Sequence, residues 1–177
     1  DIKRQFVNDV KDNSIADKIL EAIKMRGLNA GHEKEYSSWQ NSMQFMRNIV
    51  DDSEIDDEVR ICIEYNIPLT SKRVDFIIAG ADKAGNENIV IVELKQWQKA
   101  EVVADDMHYC VKTFVANTDR IVCHPSYQAY SYSCFLKNYS QSLTDESINL
   151  VPCAYLHNYQ PEYRQTLSNP IYKEWFE

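Results

Sequence analysis

An acid, a leucine and a lysine stand in immediate succession, Glu93-Leu94-Lys95, where the apolar run Ile89 to Val92 ends. Residues two apart on a strand share a face, so a carboxylate and an ammonium emerge together at the mouth of a core. Asp75 belongs to the same arrangement. It lies in "KRVDFIIAG", and the polar stretch "GADKAGNEN" joins that segment to "NIVIVELKQW", which predicts an antiparallel hairpin. A turn centred on residue 84 sets Asp75 opposite Glu93, with Cβ atoms roughly 4.5–5.5 Å apart. Two carboxylates so placed repel, and a hard divalent cation between them resolves the repulsion. Such an ion keeps waters and accepts phosphate oxygens, while Lys95 orients water or offsets charge in the transition state. Glu64, in "CIEYNIP", is a third acid expected nearby. In outline this is metal-assisted phosphodiester hydrolysis.

Spacing alone does not carry that reading. An acid two residues before a lysine also occurs at Asp1–Lys3 and Asp9–Lys11, and a surface salt bridge explains such a pair equally well. What separates Glu93–Lys95 is its place at the end of a strand buried on both faces, across a hairpin from another acid. A buried acid pair needs a partner.

The elements that must position these residues are legible in outline. Ser14 stands where it caps a helix to about Arg26, with Ile15, Ile19, Ala22 and Ile23 on one face and Gly27 as its stop. A second helix is expected from about Lys34 to Val50, with Trp39, Met43, Met46 and Val50 as its buried stripe. Glu35 heads that stripe, either as a first-turn acid favoured by the helix dipole or as an acid turned inward to a site. Strands follow at "VRICIEYNIP", "KRVDFIIAG" and "NIVIVELKQW". Residues 98–122 are ambiguous, with Tyr109 to Val115 readable as strand or helix. "HPSYQAYSYSCFLKNY" reads as a helix after Pro125, with Gln128 and Tyr132 on one face. "SINLVPCAYLHNY" reads as a strand whose Pro152 implies an edge or a bulge, and a last helix begins near Pro170. The fold class is α/β, with one central mixed β-sheet flanked by helices.

Composition limits the alternatives. The 177 residues suit one domain with a sizeable core, at 44% hydrophobic and 26% charged residues. No apolar run has the roughly 18–20 residues that span a bilayer, so no membrane partner is expected. The five cysteines have no C-x-x-C spacing, which favours free thiols in a reducing cytoplasm and gives Cys123-His124 no zinc framework. A net charge of −8 opposes general adhesion to nucleic acid but leaves room for a local cationic cluster, for which Lys72, Arg73, Lys95 and Lys99 are the candidates. The polar start, without Met, and the end at "YKEWFE" read as a fragment of a longer protein.

Asp75 followed by Glu93-Leu94-Lys95 resembles the PD-(D/E)xK nuclease superfamily, and "QAYSY", Gln128 to Tyr132, resembles the Q-x-x-x-Y motif of its RecB-like branch. The longer string "IEYNIPLTSKRVDFIIAG…IVIVELKQW…HPSYQAYSY…PCAYLHNY" is similar to the N-terminal domain of a bacterial DNA/RNA helicase-like family related to the Schlafen helicases. The similarity runs over roughly residues 30–177. It implies a restriction-endonuclease-like core at 31–177 behind a helical extension at 1–30. It also implies that Asp75, Glu93 and the Leu94 carbonyl hold Mg²⁺ (or Mn²⁺), that Lys95 is the catalytic lysine, that Glu35 is the acid of the first core helix, and that Gln128 and Tyr132 flank the site. The implied activity is a metal-dependent nuclease acting on DNA rather than RNA, attached to a C-terminal helicase in DNA processing or phage defence. A ribonuclease, or a nuclease fold that grips nucleic acid or a protein without cutting, are the alternatives. One departure stands out: Val74 precedes Asp75 where the pattern has proline, a residue that does no chemistry there. No Walker-type phosphate loop occurs in the sequence.

Overall fold

The computed structural model describes residues 1–28, 33–103, 107–140, 143 and 148–175. The chain opens with three helices, α1 (Lys3–Lys11), α2 (Ile15–Met25) and α3 (Glu33–Val50). The first was not anticipated. Its apolar residues Phe6, Val7 and Val10 sit among charged neighbours, yet all three are buried. They join Ile19 and Ile23 of α2 and Trp39, Met43, Met46 and Val50 of α3 in one core, which closes on the sheet residues Ile61, Phe76 and Val92. The first two helices thus contribute buried side chains to the same core as α3 and the sheet. Ser14 occupies the N-cap position of α2, but its hydroxyl donates to the Asp9 carbonyl (3.2 Å) instead of capping the helix. Gly27 ends α2 as expected. Its φ of 67° lets its N–H reach the Lys24 carbonyl (2.9 Å) while the Leu28 N–H reaches that of Ile23 (3.2 Å).

Three strands follow, β1 (Arg60–Asn66), β2 (Arg73–Ala81) and β3 (Glu87–Lys95). Between β2 and β3 the Asp82 carboxylate accepts the Ala84 and Asn86 N–H groups, both at 2.9 Å, and Gly85 takes φ 84°. That loop sets the register Phe76↔Val92 through Ala81↔Glu87, the pairing expected for a turn centred on residue 84. The ambiguous segment forms β4 (Glu101–Val102), β5 (Cys110–Val115) and β6 (Thr118–Cys123), a separate three-stranded sheet. Helix α4 (Pro125–Tyr139) and strand β7 (Asn149–Leu156) come next, then a 3₁₀ turn, the short helix α5 (Arg164–Leu167) and a second 3₁₀ segment, Pro170–Trp175, where a regular helix was expected.

The main sheet has the order β1-β2-β3-β7, with β7 parallel to β3 and the other pairs antiparallel. Pro152 lies on an edge strand, where its missing N–H costs no internal ladder bond. Helices α1 to α3 cover one face. On the other, Ile77 and Ile91 of the sheet pack with Tyr132 and Leu136 of α4. The small sheet has its own cluster, Trp97, Ala100, Val111 and Tyr172. Among the described residues no helix is long and apolar enough to cross a membrane.

Candidate functional site

The two registers of the main sheet determine what meets at its end. One step beyond Phe76↔Val92, Asp75 stands opposite Glu93. Between Ile63↔Phe76 and Tyr65↔Val74, Glu64 stands opposite Asp75. Three acids thus form a row across three adjacent strands. Each acts on its neighbours, since the charges of Asp75 and Glu64 both raise the pKa of Glu93.

Glu93 is almost fully buried, and its Oε1 accepts from Lys95 Nζ (2.6 Å) and from Gln128 Nε2 (2.7 Å). Its Oε2 is buried and meets no donor from another element, while the Asp75 and Glu93 carboxyls lie within hydrogen-bonding reach of each other once one of them holds a proton. Burial, then the Asp75 charge, push the Glu93 carboxyl up to about 7. Asp75 is anchored from behind, its Oδ2 accepting the Leu94 N–H at 2.7 Å, and burial raises its pKa as well. Lys95 reaches over the Trp97 ring, 5.6 Å from the centroid. The shared face expected of Glu93 and Lys95 is therefore a direct ion pair, with the lysine side chain 18% exposed.

Helix α4 presents Gln128 because its start is fixed. His124 is the N-cap, its Nδ1 accepting the Ser126 N–H (3.2 Å), and Pro125 opens the first turn. Gln128 also donates to the Tyr132 hydroxyl at 2.8 Å. Tyr132 is buried, and its phenol is pushed up to about 12, chiefly by burial and then by the Glu93 charge.

On the α3 side, Arg73 bridges two acids, with Nη2 to Glu35 Oε1 at 3.0 Å and Nε to Glu64 Oε2 at 3.2 Å. Glu64 Oε1 accepts the Trp39 indole N–H at 2.7 Å. Glu64 has φ 52°, a left-handed conformation inside an otherwise regular strand. Such strain costs about 1–3 kcal/mol and persists only where surrounding structure over-determines it, most often at functional sites.

Glu35, Glu64, Lys72, Arg73, Asp75, Gln128 and Tyr132 line a single cleft of about 480 Å³. Glu93 and Lys95 join it through Gln128 and the Asp75 pairing. Arg73, expected to meet nucleic acid, pairs with Glu35 and Glu64 while its side chain stays partly exposed. Lys99 lies outside the cleft, beside Trp97, Thr113 and Phe114. Lys72 is exposed at the rim.

Two residues at the site were missed. Trp39 was read only as core, though it stands four residues after Glu35. Gln96, which follows Lys95 directly, donates to Ser38 Oγ (2.8 Å) and Ser42 Oγ (3.1 Å) and so ties the end of β3 to α3. Its position was the only signal in the sequence.

The donor set suits a hard cation on one specific ground: Glu93 leaves a buried carboxylate oxygen beside a second carboxylate with a raised pKa. Among the described residues no three His, Cys, Asp or Glu side chains converge as a metal-holding group. Glu64 is not a free third acid, because both its oxygens are engaged. Two carboxylates and a main-chain carbonyl, with water completing the shell, are an ordinary Mg²⁺ environment. Comparison with known proteins returns no family model, no curated protein and no solved structure matching this chain.

Proposed function

We propose that the domain is a metal-dependent nuclease that hydrolyses phosphodiester bonds, with DNA as its substrate. The observation that carries this reading is the buried Glu93 carboxylate. It faces Asp75, is held on one oxygen by Lys95 and Gln128, and keeps its other oxygen buried. A structural salt bridge needs no second acid beside it, whereas Glu93 stands in a row with Asp75 and Glu64.

Asp75, Glu93 and the Leu94 carbonyl would hold Mg²⁺ or Mn²⁺, which when bound activates water and neutralises phosphate charge. The remaining roles fall to the protein. The Leu94 N–H fixes Asp75, and Gln128 fixes the rotamer of Glu93. Lys95 places an ammonium at the edge of the acid pair, where it offsets charge developing on the phosphoryl oxygens. Arg73 pairs with both Glu35 and Glu64 and offsets part of their charge, lowering the negative potential a polyanion meets on approach. Attachment to a helicase, implied by the sequence resemblance, fits a domain that needs its substrate delivered.

The test is nicking of supercoiled and linear DNA by the chain with Mg²⁺ or Mn²⁺, beside Asp75→Asn. Metal-dependent cleavage that the variant loses is the expected result. A folded variant that cuts at the parent rate would end the assignment.

A further inference from the structure

Five free cysteines occur in the chain, and two of them face each other. Cys110 begins β5 and Cys123 ends β6, and the register pairs them directly. The next pair outward is hydrogen-bonded, the His124 N–H donating to the Tyr109 carbonyl at 2.8 Å. By the alternation of an antiparallel ladder, Cys110 and Cys123 therefore form the non-hydrogen-bonded kind of pair, with Cα atoms about 4.5 Å apart and side chains at their closest. The Cys110 N–H agrees, since it bonds the Met107 carbonyl (2.9 Å) and not β6. That separation lies within the Cα range of disulfides, roughly 4.4–6.8 Å. Side chains directly opposite on a ladder share a face, and the two sulfurs are close enough for Cys110 to raise the Cys123 pKa.

We propose that Cys110 and Cys123 are a reversible dithiol–disulfide pair, oxidised by small-molecule disulfides of the glutathione class. One cysteine thiolate attacks the oxidant and releases one thiol, leaving a mixed disulfide on the protein. The second cysteine thiolate attacks the protein sulfur of that bond and releases the second thiol. Two S–H bonds are lost, one intramolecular S–S bond forms, and the oxidant is reduced to two thiols. No other electron acceptor is needed.

The location gives the pair a consequence. Cys123 immediately precedes His124, the cap of α4, and lies within electrostatic reach of Lys95 and Glu93. The cystine would tie the start of the helix that carries Gln128 to the opposite strand. Burial, then Cys110, hold the Cys123 thiol at about 11, and burial raises Cys110 too. Both are weakly ionised at neutral pH, so exchange is slow there and quickens as pH rises. The remaining cysteines, Cys62, Cys134 and Cys153, lie on β1, α4 and β7 and serve as internal controls.

The experiment is incubation of the reduced chain with oxidised glutathione, followed by intact-mass measurement and non-reducing peptide mapping. The expected product has lost two hydrogens, about 2 Da, and one linked peptide pair joins Cys110 to Cys123. In Cys110→Ser and Cys123→Ser the mass loss disappears and a glutathione adduct remains on the surviving thiol. Oxidised wild-type chain that holds only glutathione adducts, or a cystine made from other cysteines, would overturn the pair.

Discussion

Glu93 carries a cost that its surroundings make measurable. Its carboxyl sits near 7 in the folded chain, well above its ordinary value of 4.5. Between those two pH values the native protein holds a proton that the unfolded chain has released. Without metal, stability therefore falls as pH rises through that window and levels off above about 7, by about 3 kcal/mol at most. Glu93→Gln removes the ionisation. It should melt higher than the parent at pH 8 without metal and lose that advantage near pH 5. Thermal scans at the two pH values check this. Lys95→Ala separates binding from chemistry. The lysine is not a ligand, so calorimetry should find divalent affinity kept or modestly raised, while cleavage falls by orders of magnitude as the ammonium is lost. If the Glu93–Lys95 pair is only a structural salt bridge, neither protein will bind metal.

At the scale of elements, α4 depends on a neutral histidine. His124 is almost fully buried, accepting on Nδ1 from Ser126 and contacting the Leu167 carbonyl through Nε2 (3.1 Å). Accepting at Nδ1 and donating at Nε2 fixes the neutral tautomer. Burial drives its pKa down to about 4, and a positive charge there would also oppose the helix dipole. As pH falls from about 6.5 towards 4 the unfolded chain takes a proton that the native state refuses, so stability declines by up to about 3 kcal/mol. His124→Asn keeps a cap and cannot titrate. Its acid-side melting curve should be flatter than that of the parent, as circular dichroism across this range will show.

What was legible follows the same physics. The β2–β3 hairpin announced itself through a loop rich in turn residues and a continuous apolar strand, so its register and the Asp75–Glu93 pairing were readable. The β5–β6 hairpin was not. Its two-residue turn is Ala116-Asn117, with φ 50° and 65°, a left-handed pair normally signalled by Asn-Gly or Asp-Gly. Helix α1 was hidden by charge. Lys3, though buried, gives its ammonium to the Asp52 carbonyl and the Asp57 carboxylate, long-range partners that no local pattern reveals. The Arg73 bridge and the Trp39–Glu64 bond were likewise invisible, because each joins α3 to strands distant in sequence.

Over the whole molecule, charge limits how the domain meets a polyanion. The net charge is −8, Arg73 is paired with Glu35 and Glu64, and Lys99 lies apart from the cleft. Of the expected cluster, Lys72 lines the cleft and Lys95 stands at the acid pair, and with ~3 phosphate contacts the log–log salt slope of binding should be about −3. Fluorescence anisotropy titrations on labelled DNA over a range of salt will measure it. A much shallower slope would show that stacking or a protein partner supplies the affinity.

The parallel docking of β7 on β3 also governs the molecule during its synthesis. Asn88 meets Asn149, so the strand that covers β3 is made long after the hairpin that contains it. Hairpins close in about 1–10 μs, whereas a ribosome adds only about 5–20 residues each second. For several seconds the nascent chain therefore holds Ile89 to Val92 on an open sheet edge, the kind of template that recruits other chains. A chain stopped before Asn149 keeps the acid row and the hairpin but should pellet where the complete domain stays dispersed.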